Sequence, residues 1–189
     1  MNHLFPIYLK LDQLKTLVVG GGPVGLEKLQ ALITNSPNAV IKVVAKDVCI
    51  ALLEFIDGKK NIQLEVREFV EEDLWDKQIV ILATNNPTFN DYVRELTAEN
   101  NILLNVADKP ALCDFYLGSV VQKGDLKIGI STNGKSPTIA KRIKELLENL
   151  LPEEIDETLA LMSSYRKQLK GDLKAKIEVL NAHTESLIR

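Results

Sequence analysis

The chain has 189 residues, 46% apolar and 26% charged, which is enough apolar material for a buried core and fits one domain with an appendage. A net charge of −3 gives no reason to expect nucleic acid or an anionic membrane as partner, and no apolar run is long enough to cross a bilayer. The two cysteines, Cys49 and Cys113, are far apart and outside any C-x-x-C spacing, which argues against a disulfide framework or a cysteine zinc site; with no basic-then-apolar leader, a cytoplasmic protein is expected.

Residues 4–11 predict an extended lead-in, and Asp12-Gln13 a turn into an apolar strand at 15–19. That strand runs into Gly20-Gly21-Gly22-Pro23-Val24-Gly25 and then a helix with Val24, Leu26, Leu29, Leu32 and Ile33 on or near one face. The turn cluster Asn35-Ser36-Pro37-Asn38 ends that helix. A β-branched strand is expected at 40–45, a helix at 47–56 closed by Asp57-Gly58, and an alternating strand at 62–67 suited to a sheet edge. An acidic helical turn at 71–75 precedes a fully apolar strand at 78–83. Pro87 then opens a helix reaching Asn100, and a fifth strand spans 102–106.

Strands alternating with helices predict an α/β fold, a Rossmann-like parallel sheet with right-handed crossovers. The alternation stops near residue 112. Residues 114–121 and 126–132 predict two strands joined by Gln122-Lys123-Gly124-Asp125 as a β-hairpin. Ser136-Pro137 caps and opens a helix striped with Ile139, Ile143, Leu146, Leu147 and Leu150. A helix from Pro152 to about Lys170, a break at Gly171-Asp172 and a last helix to about 187 complete the chain, with stripes best explained as core. The organisation is therefore residues 1–112 as the dinucleotide domain, 113–150 as a small hairpin and helix unit, and 151–189 as a helical C-terminal part.

Gly20, Gly22 and Gly25 fall on the G-x-G-x-x-G spacing. In a strand–turn–helix context such glycines permit a tight turn, let a pyrophosphate approach the backbone and let the helix pack close to the strand. Helix N–H groups and the helix dipole then face the anion. Gly20, Gly21, Gly22, Pro23 and Val24 are thus the expected pyrophosphate cradle. In open parallel sheets the rest of the ligand lies beyond the carboxyl ends of neighbouring strands. Those ends supply Ala45, Lys46 and Asp47 after the second strand, Thr84 and Asn85 after the fourth, and Ala107-Asp108-Lys109 after the fifth. Asp47 suits either the adenosine ribose or a cap for the next helix, whereas Lys46 would favour a 2′-phosphate; NAD is preferred over NADP. Asp108 is either a turn residue before Lys109-Pro110 or a general base beside the nicotinamide. Lys135, Lys141, Arg142 and Lys144 form either an anion-binding surface or a solvated basic face.

Several separated stretches match one family. Leu4-Phe5-Pro6-Ile7, Val18 to Gly25 with Lys28, Ala83-Thr84-Asn85-Asn86, Asn105-Val106-Ala107-Asp108 and Ser131-Thr132-Asn133-Gly134-Lys135-Ser136-Pro137 stand in the order found there. The chain resembles the precorrin-2 dehydrogenase / sirohydrochlorin ferrochelatase family, the N-terminal module of siroheme synthases. The resemblance implies NAD-dependent oxidation of precorrin-2 to sirohydrochlorin, with Fe²⁺ as a metal substrate in members that also chelate. It implies Asp108 as the catalytic carboxylate, Lys135, Ser136, Lys141 and Arg142 as contacts to a tetrapyrrole polycarboxylate, no bound metal and a homodimer formed through the hairpin unit. Fused members add a methyltransferase domain, so a chain of this length is expected to act downstream of a separate methyltransferase. The competing classes are an NAD(H)-sensing regulatory module without catalysis and a chelatase that needs no NAD.

Overall fold

The structure, a computed structural model, describes residues 2–169 and 173–184. Its backbone divides into two units, Met1–Leu117 and Gly118–Arg189.

The first unit is the alternating part. Strand β1 (Lys15–Gly21) leads to helix α1 (Pro23–Asn35), β2 (Val40–Val48) to α2 (Ile50–Ile56), and β3 (Ile62–Val66) to a single 3₁₀ turn at Glu71–Leu74. Strand β4 (Ile79–Leu82), helix α3 (Pro87–Glu99) and β5 (Leu103–Val106) complete it. All pairings in this sheet are parallel, in the order β3-β2-β1-β4-β5. The order reverses between β1 and β4, which creates a crevice at their carboxyl ends.

The strands are apolar because both sheet faces are covered. Leu17 and Val19 of β1, with Val80 and Leu82 of β4, pack on one side with Val44, Val93, Leu104 and Val106. Val18, Ile79 and Ile81 point to the other, against Leu29, Leu32, Ile41, Val43 and Leu52. The alternating segment β3 is an edge strand.

Two local expectations are corrected. Strand β2 does not stop at residue 45 but runs to Val48, and α2 starts only at Ile50. The cause is tertiary: a bulge near the end of β1 pairs Gly21 with Val48, and the Cys49 N–H donates to the Gly21 carbonyl at 2.9 Å. Asp47 therefore lies in a strand and does not cap α2, whose N-cap position is Cys49. Residues 114–118 do not form the first half of a hairpin strand. Asp114 runs beside β5: its N–H donates to the Leu104 carbonyl at 2.8 Å, its carboxylate accepts from the Leu104 N–H at 2.9 Å, and Arg94 donates to that carboxylate at 2.6 Å.

The second unit contains the antiparallel hairpin β6 (Ser119–Lys123) and β7 (Leu126–Ile130), followed by α4 (Pro137–Leu150), α5 (Ile155–Gln168) and α6 (Leu173–Thr184). The Ser136 hydroxyl accepts from the Ile139 N–H at 3.2 Å, the expected N-cap. Among the described residues of this unit, only Val121 and Ala140 are buried hydrophobics. The α4 stripe is not core within the chain: Ile139, Ile143, Leu146 and Leu150 are 52%, 39%, 57% and 67% exposed. Lys170, the Gly171-Asp172 break and the end of the last helix beyond Thr184 lie outside the described residues.

A charged cluster ties β2 and β3 to the 3₁₀ turn. Arg67 forks onto the buried Asp73 carboxylate at 2.6 and 2.7 Å, and Lys42 reaches the same carboxylate at 2.8 Å. Burial alone would raise the Asp73 pKa. The Arg67 fork, the Lys42 ammonium and the Val70 N–H outweigh it and hold the carboxyl well below the usual carboxylate range. A depressed folded-state pKa gives stability that is fully present above the unfolded value of about 4 and is lost as pH falls through the folded value. Asp73→Asn should cost about 3 kcal/mol at neutral pH by leaving two cations half-buried. It should also flatten the fall in stability below about pH 4, measured as urea midpoints across pH. An unchanged acid limb would contradict this assignment.

Candidate functional site

The glycine stretch adopts the strand–turn–helix form its spacing predicts. Gly20 has φ +119°, and a Cβ there would collide with the carbonyl oxygen of Ala83 at the end of β4. A Cβ at Gly25 would strike the carbonyl oxygen of Gly20, so the third glycine sets how closely α1 approaches β1. Gly22, the N-cap of α1, is different. Its backbone is extended, at φ −82° and ψ −172°, and a Cβ would meet nothing within 4 Å. The protein does not require glycine there for its own packing, whereas a ligand phosphate lying against the backbone does. Pro23 follows in the first turn and lacks an N–H. This helix start therefore fits a dinucleotide pyrophosphate.

Parallel pairing brings further groups to the same sheet edge. Val24, Ala83, Thr84, Asn85, Pro87, Asn90, Ala107, Asp108 and Lys109 line a cavity of about 230 Å³. It thus combines residues beyond β4, residues beyond β5 and the start of α1. The Thr84 hydroxyl donates to the Asn90 side-chain oxygen at 2.6 Å, and the buried Asn90 amide lies 3.4 Å from the Thr84 carbonyl. Asn90 was not anticipated from sequence. Its signal is a polar residue at a buried position in the first turns of α3.

Asp108 is exposed on the cavity wall, and its carboxylate pairs with no other described residue. Its backbone is left-handed, at φ 58°, which aspartate tolerates better than most residues. The Lys109 N–H closes the turn onto the Val106 carbonyl at 3.2 Å. Cys113 holds the loop base. Its sulfur accepts from the Val106 N–H at 3.2 Å and lies 3.3 and 3.4 Å from the carbonyls of Val106 and Lys109. Burial, the largest influence, pushes the Cys113 thiol pKa up. Asn105, buried near the end of β5, donates to the Phe115 carbonyl at 2.8 Å and so fixes the strand end. The arrangement is a fixed turn presenting a free carboxylate, chemically suited to accept a proton.

Ala45 is buried and Lys46 and Asp47 are exposed at the far end of β2, beside the glycine turn. The remaining predicted residues lie in the second unit. Ser136 is the α4 cap and its hydroxyl is engaged there; Lys135 and Lys141 are exposed; Arg142 pairs with Glu145 at 2.8 Å and Lys144 with Glu148 at 3.6 Å. A cation one turn from an acid on a helix surface is an ordinary solvated pair.

A family model described as "Putative NAD(P)-binding" matches residues 7–119. The chain belongs to this family. Residues 123–150 match a second model, "Sirohaem biosynthesis protein central", which falls on β7 and α4. Siroheme synthase of Vesicomyosocius okutanii is 36% identical over 171 residues, covering 90% of this chain and 36% of that protein. Siroheme synthase of Pseudoalteromonas translucida is 37% identical over 174 residues, covering 92% and 36% respectively. The chain thus spans about a third of the length of the curated relatives it matches. Among solved structures, SirC, a precorrin-2 dehydrogenase, superposes with a TM-score of 0.73 at 26% identity, covering 95% of this chain and 88% of that one.

Dinucleotide binding should separate the roles of Gly22 and Gly25. Gly22→Ala should keep stability within about 1 kcal/mol, because the Cβ has room. It should weaken dinucleotide binding by about tenfold or more, by titration calorimetry. Gly25→Ala should lower the thermal midpoint as well. Equal binding by wild type and Gly22→Ala would remove the pyrophosphate from this turn.

Proposed function

We propose that this chain oxidises precorrin-2 to sirohydrochlorin with NAD⁺ and so serves siroheme biosynthesis. The observation that carries it is the union, in one cavity, of the start of the dinucleotide-binding helix and the unpaired carboxylate of Asp108. The siroheme synthase relatives and the SirC likeness support this choice of substrate. Gly20, Gly21, Gly22, Pro23 and Val24 hold the pyrophosphate; Ala45, Lys46 and Asp47 border the adenosine ribose; Thr84 and Asn85 flank the nicotinamide.

Conversion of precorrin-2 to sirohydrochlorin removes one hydride and one proton from the macrocycle. When bound, NAD⁺ supplies the hydride acceptor. Asp108 takes the proton as general base. Its turn, fixed through Lys109 and Cys113, keeps the carboxylate at the cavity wall. Asn90 holds the Thr84 hydroxyl and so orients the facing loop. Lys135, Ser136, Lys141 and Arg142 contact the substrate's carboxylates in this proposal, since several cations with a hydroxyl among them suit a polycarboxylate. Fe²⁺ insertion into sirohydrochlorin is a separable second activity, with the metal as substrate and no requirement for NAD⁺.

The chain works as a homodimer, and the support is the exposed apolar stripe of α4, with Ile143 and Leu146 one turn apart on the same face. Its setting is cytoplasmic, in keeping with two free cysteines; no helix among the described residues is long and apolar enough to cross a membrane.

Purified protein given precorrin-2 and NAD⁺ should yield one NADH per sirohydrochlorin, followed by absorbance. Asp108→Asn should lower turnover by about a hundredfold or more while NAD⁺ affinity holds. Folded, NAD⁺-binding protein that forms no NADH would favour a sensing module instead. Leu146→Glu should shift the sedimentation profile from dimer to monomer; an unchanged profile would move the dimer interface off α4.

A further inference from the structure

The far end of β2 carries an arrangement of charge that bears on which dinucleotide is accepted. In a strand order of this kind the adenosine ribose lies at the carboxyl end of the strand next to the glycine turn. Here that end is Ala45-Lys46-Asp47, and it abuts the turn directly: a Cβ on Gly21 would sit 2.5 Å from the Asp47 carbonyl oxygen and 2.9 Å from the Ala45 Cβ. Lys46 alone would invite a 2′-phosphate. It is not alone, because its ammonium lies 2.5 Å from the carboxylate of Glu68, just beyond β3, and Asp47 follows it in the chain.

Among the described residues, the other two cations at this corner, Lys42 and Arg67, are also matched. Arg67 is spent on Asp73 and Glu65, and Lys42 on Asp73 and Glu65. Three cations, Lys42, Lys46 and Arg67, therefore face four carboxylates, Asp47, Glu65, Glu68 and Asp73. A 2′-phosphate, which carries close to two negative charges, would meet no unmatched cation and two exposed carboxylates. Ribose hydroxyls, in contrast, can donate to a carboxylate at this place.

Building on the cofactor reading above, we propose that Glu68 is a specificity-determining residue: by engaging Lys46 it excludes the 2′-phosphate of NADP⁺ and leaves the ribose site selective for NAD⁺. The Lys46 pKa is raised chiefly by that same hydrogen bond to Glu68, in keeping with a lysine whose charge is locally answered. Both side chains are largely exposed, at 65% and 72%, so the effect is electrostatic and screened by salt, with no part in holding the fold together.

Titration calorimetry of the full chain with NAD⁺ and with NADP⁺ tests this. Wild type should bind NAD⁺ more tightly. Glu68→Gln should move the ratio of the two dissociation constants towards NADP⁺ by about five- to tenfold at low salt, and 0.5 M salt should remove most of that shift. Adding Lys46→Met to Glu68→Gln should abolish the gain, since the freed ammonium is its source. A ratio unmoved by Glu68→Gln, or a gain that survives Lys46→Met, would overturn the role of Glu68 while leaving the dinucleotide site intact. Folded wild-type protein that binds neither dinucleotide would overturn the cofactor reading and this inference with it.

Discussion

The approach of Gly20 to the Ala83 carbonyl is the constraint on which the site depends. A side chain at Gly20 would push β4 away from the glycine turn, and one at Gly25 would push α1 off the Gly20 carbonyl. With both absent, the Ala83 N–H donates to the Val19 carbonyl at 2.8 Å, and the loop after β4 begins beside the start of α1. Ala107 repeats the step one strand further, donating to the Leu82 carbonyl at 2.9 Å. Three strand ends are thereby brought to one edge, and Asp108 comes to share a cavity with Val24 and Asn85.

The same glycine turn shapes the opposite, adenosine side. Gly21 takes part in the sheet and draws β2 out to Val48, which fixes Lys46 and Asp47 as strand residues beside the turn. The buried Asp73 cluster ties β2 and β3 to the 3₁₀ turn, and its Arg67 guanidinium also donates to the Glu68 carbonyl at 2.8 Å. An ion cluster with a structural role thus determines which charges remain for the ligand. The proposed hydride and proton chemistry at one end and the proposed ribose selection at the other would both follow from how β1 pairs with its two neighbours.

Much of this was legible in the sequence, for identifiable reasons. Runs such as Leu17-Val18-Val19 and Ile79-Val80-Ile81-Leu82 are apolar on every residue because both sheet faces are covered, and they read as buried strands without ambiguity. The glycine spacing was legible because it sits directly after such a run, and the place of Asp108 at the same edge because it follows the strand at 102–106; a catalytic role for Asp108 is what the family resemblance implies. What was not legible depends on partners distant in sequence. Asp47 resembles a helix cap until Gly21 pairs with Val48. Residues 114–118 have strand-like composition, but the Asp114 carboxylate binds the Leu104 N–H and Arg94, which holds the segment along β5. The α4 stripe is plain in sequence as a stripe, yet no periodicity tells that the chain leaves it uncovered.

One dinucleotide is proposed to span this edge, from the turn at Gly22 to the cavity at Asp108. A crystal structure of the NAD⁺ complex tests it most directly. Pyrophosphate oxygens are expected against the backbone of Gly21 and Gly22, the adenosine ribose beside Asp47, and the nicotinamide between Asn85 and Asp108. A nicotinamide ring outside that cavity, or a pyrophosphate away from the start of α1, would contradict it.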